Sequence, residues 1–339
     1  MESPDTIVVG AGVIGLGIGW RAACLGLSVL VVERARAGKG ASWVSAGMLA
    51  PITEAYFGEG ALLALNLESA RRYPSFLAEL AEAGGSPVTP IAPGTLFVAL
   101  DRDQLEALRR LYDFQRELGL AVEWIPGGRC REIEPALHPS TRAGILAAHD
   151  REVDPRELSS ALAEALVRAG GRLREGAEVS EVLLRGGRAV GVGLSGGEQI
   201  AAGSVVLAAG CWSGGIGGVP EPIAQAIRPV KGQIVRLRSR SGEPALVGHV
   251  IRTEEIYLVP RAGGGLVAGA TVEEQGFDLA LTAGGIYELL RAAQEAAPGV
   301  RELELVEASA GLRPGTPDNA PLLGPTSIER LVAATGHYR

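Results

Sequence analysis

One stretch near the N-terminus narrows the folds open to this chain more than any other. Ile7–Val9 reads as an apolar strand that runs into Gly10, Gly12 and Gly15. The spacing is G-x-G-x-x-G, and a second apolar strand over 28–32 ends on Glu33. Strand, glycine turn, helix and strand make a βαβ dinucleotide-binding unit. Gly10 permits the tight turn, Gly12 lets backbone approach a pyrophosphate, and Gly15 lets helix and sheet pack closely. The pyrophosphate then meets free N–H groups and the positive end of the helix dipole. Glu33 stands where an acid accepts hydrogen bonds from ribose hydroxyls. It also disfavours a 2′-phosphate, so NADP is not expected.

The competing reading is an export signal, because the run 6–20 carries no charge. The residues before it, MESPD, are acidic and lack a base, the reverse of what a signal peptide needs. Arg21 interrupts the run before it could cross a bilayer.

The chain has 339 residues, enough for two domains and a large core. It is 47% hydrophobic but only 4% aromatic, so the core is expected to be aliphatic and rich in alanine. Net charge is −7 with scattered basic residues, which argues against nucleic acid and anionic membranes as partners. Cys24, Cys130 and Cys211 show no C-x-x-C spacing and read as buried thiols of a reducing compartment, hence the cytoplasm. His138, His149, His249 and His337 form no metal-ligand pattern, and no G-x-S-x-G is present. A redox cofactor is what remains to do chemistry.

Further along, helices are expected over 62–83, 102–118 and 281–297. Asp154, Pro155 and Glu157 give a strong helix start, with the stop at Gly170-Gly171. Strands are expected over 95–100, 204–208, 230–237, 256–260 and 265–270, with a hairpin turn at 263–265. The fold class is therefore α/β: a Rossmann-like nucleotide domain interleaved with a β-rich antiparallel substrate domain. The expected division is 1–83, 150–218 and 305–339 for the first, and 84–149 and 219–304 for the second.

Several motifs in order narrow the class: VVGAGVIG at 8–15, GASWVSAGML at 40–49, VVLAAGCWS at 205–213, VKGQ at 230–233, IYLVPR at 256–261, VAGAT at 267–271, GLRPGTPD at 311–318 and ATGHYR at 334–339. On these the chain resembles the FAD-dependent amine and D-amino-acid oxidase superfamily, and within it the glycine oxidase family of thiamine biosynthesis. The motifs span essentially the full chain, and GASWVSAGML and GLRPGTPD are the narrowest. The resemblance implies FAD as cofactor. Gly10, Gly12, Val13, Ile14 and Gly15 would hold the pyrophosphate, with Glu33 and Arg34 at the ribose and adenine end. Ala41, Ser42, Ala46, Gly47 and Met48 would line the pyrophosphate and flavin ring. Val179 would hold adenine through its backbone, and His337 and Tyr338 would lie near the flavin.

Tyr257, Arg313 and Arg339 would bind substrate, with Met48 limiting its bulk. A physical argument stands beside this for Arg313, which reads as part of a rigid loop between Gly311 and Pro314-Gly315. A buried guanidinium needs an anion, and a carboxylate is its best planar, forked match. From the local sequence alone, that anion is equally well an acid of the protein itself.

The implied reaction is oxidation of glycine or another small amino acid, with oxygen reduced to hydrogen peroxide and hydride transfer needing no catalytic side chain. The expected partners are thus an amino acid and oxygen, with self-association left open. Alternatives are a sarcosine or D-amino acid oxidase or dehydrogenase of the same fold, or a flavin-binding chain without turnover. Two departures bear on these. Val272 follows VAGAT where the family pattern implies methionine. The sequence stops at Arg339, where relatives continue with Asn-Gly and a helix aimed at the flavin. On that ground the sequence is expected to be a truncated piece that binds FAD weakly.

Overall fold

The computed structural model describes residues 3–91, 93–240 and 242–339. Strand β1 (Thr6–Val9) and strand β2 (Val29–Val32) lie side by side and parallel, joined by helix α1 (Val13–Cys24). All eight strand residues are buried, as strands covered on both faces must be. They sit inside a six-stranded sheet. Its order is Leu322–Pro325, Leu331–Thr335, Ser204–Leu207, β1, β2, Arg172–Arg174. Only the first pair in that order is antiparallel.

One face of this sheet packs on α1 and on helix Pro155–Arg168, through Val8, Leu16, Trp20, Val31, Leu162 and Leu166. Asp154 caps the second helix as the sequence implies, its carboxylate accepting from the Arg156 and Glu157 amides. The other face packs on a small antiparallel sheet, Val179–Arg185, Arg188–Leu194 and Gln199–Ala201. Gly15 has no room for a side chain: a Cβ there would stand 1.9 Å from the Gly10 carbonyl.

The second body is an eight-stranded sheet. Its order is Glu304–Gly315, Arg228–Arg238, Gly265–Gly269, Tyr257–Arg261, Val250–Arg252, Thr95–Ala99, Ala143–Ala147, Glu123–Pro126. Its pairs are antiparallel except Val250–Arg252 with Thr95–Ala99. Helix Ala283–Ala296 buries Leu289, Ala292, Ala293 and Ala296 against it. The α/β architecture with an interleaved antiparallel sheet is thus the one expected.

Two readings are corrected. The stretch around Arg313 is not a loop but the end of the twelve-residue strand Glu304–Gly315. Pro314 is tolerated there because this strand lies at the sheet edge and pairs on one side only. By that pairing, 304–315 belong to the antiparallel sheet, whereas the expected division put 305–339 with the nucleotide unit. The second correction concerns the cysteines: Cys130 and Cys211 are buried free thiols, but Cys24 is exposed. It is the last residue of α1, where the helix leaves the sheet.

Candidate cofactor and substrate site

A cavity of about 960 Å³ is lined both by the glycine turn of the parallel sheet and by residues of the antiparallel sheet. It lies at the large end of the roughly 300–1,000 Å³ typical of ligand sites. Every expected site residue except Gly15 lines it: Gly10, Gly12, Val13, Ile14, Glu33, Arg34, Ala41, Ser42, Ala46, Gly47, Met48, Val179, Tyr257, Arg313, His337, Tyr338 and Arg339. Gly15 instead serves the packing of helix on sheet.

At the nucleotide end, Gly10 adopts φ +101°, and a Cβ would meet the Ala208 carbonyl at 2.5 Å. The turn therefore needs glycine. The Glu33 carboxylate is tied into the turn, accepting from the Ala11 amide at 2.8 Å and the Ala35 amide at 3.0 Å. Ser42 Oγ accepts from the Val13 amide at 3.0 Å, which brings the 41–44 helix onto the start of α1. Arg34 lies flat on Trp212, 3.6 Å from the ring centroid. These residues fit a dinucleotide: a glycine turn opening a helix, an acid at the end of β2, and Gly12 close enough to the Ser42 hydroxyl that a Cβ there would stand 3.3 Å from it.

In the middle, Gly47 has φ +67°, and a Cβ would strike the Val153 carbonyl at 1.9 Å. The Ala46–Met48 segment is thereby pressed between the cavity and strand Arg151–Glu152, to which Met48 pairs. His337 is half-buried, and burial pushes its imidazole down to about 4, so it is neutral at pH 7.

Three arginines reach the far end, and they differ in what they touch. Arg339 is ion-paired to Glu59, and its Nη1 donates to the Glu54 carbonyl at 3.1 Å. Arg252 lies 3.4 Å from Glu54 and donates to the Tyr56 hydroxyl at 2.8 Å. Arg313 forms no ion pair with a carboxylate of the described residues; its Nη1 donates to the Thr271 carbonyl at 3.1 Å. Its guanidinium lies over Gly232, where a Cβ would be 2.3 Å from Nη1. Tyr257 adjoins it. Burial raises the tyrosine's pKa and the Arg313 charge opposes that rise.

Arg252, Glu54, Tyr56, Trp212 and Gly232 all line the cavity and were not singled out from sequence. Gly232 carried a signal. It sits in VKGQ, opposite Gly311 and diagonal to Arg313. Arg252 carried a weaker one, a charge closing the apolar run before IYLVPR.

A nucleotide turn, a continuous cavity and an unmatched cation on an antiparallel sheet fit an enzyme that holds a dinucleotide and takes an anionic substrate. Residues 5–339 match the family described as FAD dependent oxidoreductase (DAO), and the chain belongs to that family. FAD is its cofactor. The chain is 34% identical to a glycine oxidase of Geobacillus kaustophilus, covering 99% of this chain and 88% of that protein. The crystal structure of glycine oxidase from Geobacillus kaustophilus superposes with a TM-score of 0.92, at 32% identity, over 100% of this chain and 90% of that one. A bifunctional protein ThiO/ThiG of Nostoc sp. is 31% identical over 99% of this chain, which spans 50% of its length. Among the described residues no helix is long and apolar enough to cross a membrane.

Proposed function

We propose that this FAD-dependent amino acid oxidase acts on glycine or a similarly small amino acid carrying one carboxylate, and releases hydrogen peroxide. The observation that carries the substrate class is Arg313, a cation in the cavity with no carboxylate partner among the described residues. The glycine oxidases among its relatives support the choice of glycine. The match to half of a ThiO/ThiG protein supports a place in thiamine synthesis.

Bound FAD supplies a two-electron acceptor, so that amine becomes imine and oxygen becomes hydrogen peroxide. The rest is positioning. Arg313 offers a forked donor to the carboxylate, and Gly232 beneath it leaves the guanidinium room to lie flat. Tyr257 stays a neutral hydroxyl at pH 7, because its pKa is raised, and serves as a second donor to the same carboxylate. His337 stays uncharged and takes no proton from a substrate ammonium. No side-chain base is required if the amine binds neutral, since its lone pair assists departure of the Cα hydrogen. Rate then comes from orientation and a shielded electrostatic environment.

A second reading, sarcosine or a small D-amino acid, is favoured by Val272, a cavity-lining residue that is 66% exposed and smaller than the methionine the family pattern implies there. Peroxide release by the FAD-loaded protein with glycine, sarcosine, D-alanine and D-proline decides among them. Turnover with an artificial acceptor but no peroxide would identify a dehydrogenase. No turnover with any of the four would remove the amino-acid reading.

A further inference from the structure

The wall segment Ala46–Met48 raises a question of support. It faces the cavity, yet it belongs to a connection rather than to either large sheet. Apolar packing holds it against strand Tyr257–Arg261: Val44, Ala46, Val259 and Val267 are buried together, with Met48 and Tyr257 packed on them. Such packing sets a distance but resists sliding poorly. Polar contacts supply the direction. The Gly47 carbonyl accepts from the Val153 amide at 2.9 Å. Met48 pairs with Glu152. The Ala46 carbonyl accepts from Arg261 Nη2.

Arg261 is an expensive group to keep there. Its side chain is 10% exposed and the Glu152 side chain is fully buried. Nη1 lies 2.7 Å from Glu152 Oε2, and Nε lies 3.8 Å from Asp154. Neither Glu152 oxygen, nor Arg261 Nε, receives or makes a well-aligned hydrogen bond. A buried ion pair of this kind is no more stabilising than apolar residues of the same volume, so its presence calls for another use. Alternation along the strand suggests one. Tyr257, Val259 and Arg261 share a face, so one strand presents the tyrosine beside Arg313 and, four residues on, the guanidinium that grips the wall.

We infer that Arg261, oriented by Glu152, is a positioning residue that fixes the Ala46–Met48 wall against the strand carrying Tyr257, and so sets the environment of the flavin ring. This rests on the reading of the cavity as a flavin and amino-acid site. Arg261→Met removes the grip, Glu152→Gln keeps shape but replaces the carboxyl group that orients it with an amide, and Arg261→Lys keeps charge but loses the fork. FAD affinity, by quenching of FAD fluorescence, and the visible spectrum of the bound flavin report on the wall without any turnover. The expected result is at least a tenfold weaker FAD affinity with shifted, less resolved flavin bands in Arg261→Met, a smaller change of the same kind in Glu152→Gln, and partial recovery in Arg261→Lys. FAD affinity within twofold of the parent and an unchanged spectrum, with a lowered melting temperature alone, would make the pair structural and overturn the inference. If Arg261→Met does not fold, the near-isosteric Glu152→Gln decides the matter by the same two measurements. A parent protein that binds FAD but oxidises no amino acid would defeat the functional reading and leave this test standing.

Discussion

Arg313→Met is the sharpest test of the site. The guanidinium makes one aligned hydrogen bond, to the Thr271 carbonyl, lies beside Tyr257, and has no carboxylate partner among the described residues. Its removal should therefore cost the fold little. One hydrogen bond contributes about 1 kcal/mol, which in a chain of this size lowers the melting temperature by roughly 2–4 °C or less. With substrate bound, the same change removes a forked, charge-assisted contact. Loss of a buried charged pair costs about 2–5 kcal/mol, or about 30- to 5,000-fold in kcat/KM. The disparity between a small stability cost and a large kinetic one is the signature of a binding residue. Peroxide release with glycine and with D-alanine gives the kinetics, and the flavin absorbance of the purified variant shows that FAD is retained. Arg313→Lys should be impaired too, since an ammonium cannot reach both carboxylate oxygens. Gly232→Ala should raise KM with all charges unchanged, because its Cβ would stand 2.3 Å from Nη1. A folded, flavin-loaded Arg313→Met with unaltered kcat/KM would refute the reasoning outright.

Four further outcomes follow from the same structure. Denaturation of the loaded protein should release FAD and not NAD; recovering NAD would contradict the cofactor assignment. Gly15→Ala should abolish FAD loading or folding, because its Cβ would stand 1.9 Å from the Gly10 carbonyl; a loaded variant of normal stability would show that the turn yields. Burial pushes Glu152 up to about 7 from an ordinary 4.5, so the folded state binds an extra proton between those values. Its contribution to stability is complete below pH 4.5 and is lost as pH rises to 7. Urea unfolding should accordingly show Glu152→Gln gaining on the parent between pH 4.5 and pH 8, whereas a constant gap would deny the shift. Acidic amino acids should be poor substrates: D-aspartate should react on the order of tenfold or more slower than D-alanine, since its second carboxylate meets Glu54, which lines the cavity. Comparable rates would mean that Glu54 does not face the substrate.

Much of the nucleotide end was legible because its constraints are local. Gly10, Gly12, Gly15 and Glu33 fall within one strand–helix–strand unit, and each answers a steric or polar demand that its neighbours in sequence create. The Asp154 cap and the hairpin after Arg261 were readable for the same reason. The strand Glu304–Gly315 was not. Gly311, Pro314 and Gly315 are loop residues by local preference, and only the register with Arg228–Arg238 makes them strand. The two-residue pairing of Met48–Leu49 with Arg151–Glu152 was likewise invisible, since neither partner has a pattern long enough to register.

The substrate end exposes a different limit. A sequence lists charges but does not say which of them cancel. Glu54 meets Arg252, 198 residues away, and Glu59 meets Arg339, 280 residues away. No local pattern links either pair. Before those matches are known, Arg313 is one arginine among many, and an internal salt bridge explains it as well as a ligand does. Once Arg252 and Arg339 have their acids, Arg313 is the cation left over at that end of the cavity among the described residues. Leaving it unmatched is unfavourable for the protein alone, because a partly desolvated charge has lost water without gaining a counter-ion. On the proposed function, a substrate carboxylate would supply the missing partner. The energy forgone by the unmatched guanidinium would then be available on binding, at the point where the amino acid must be oriented toward the cofactor.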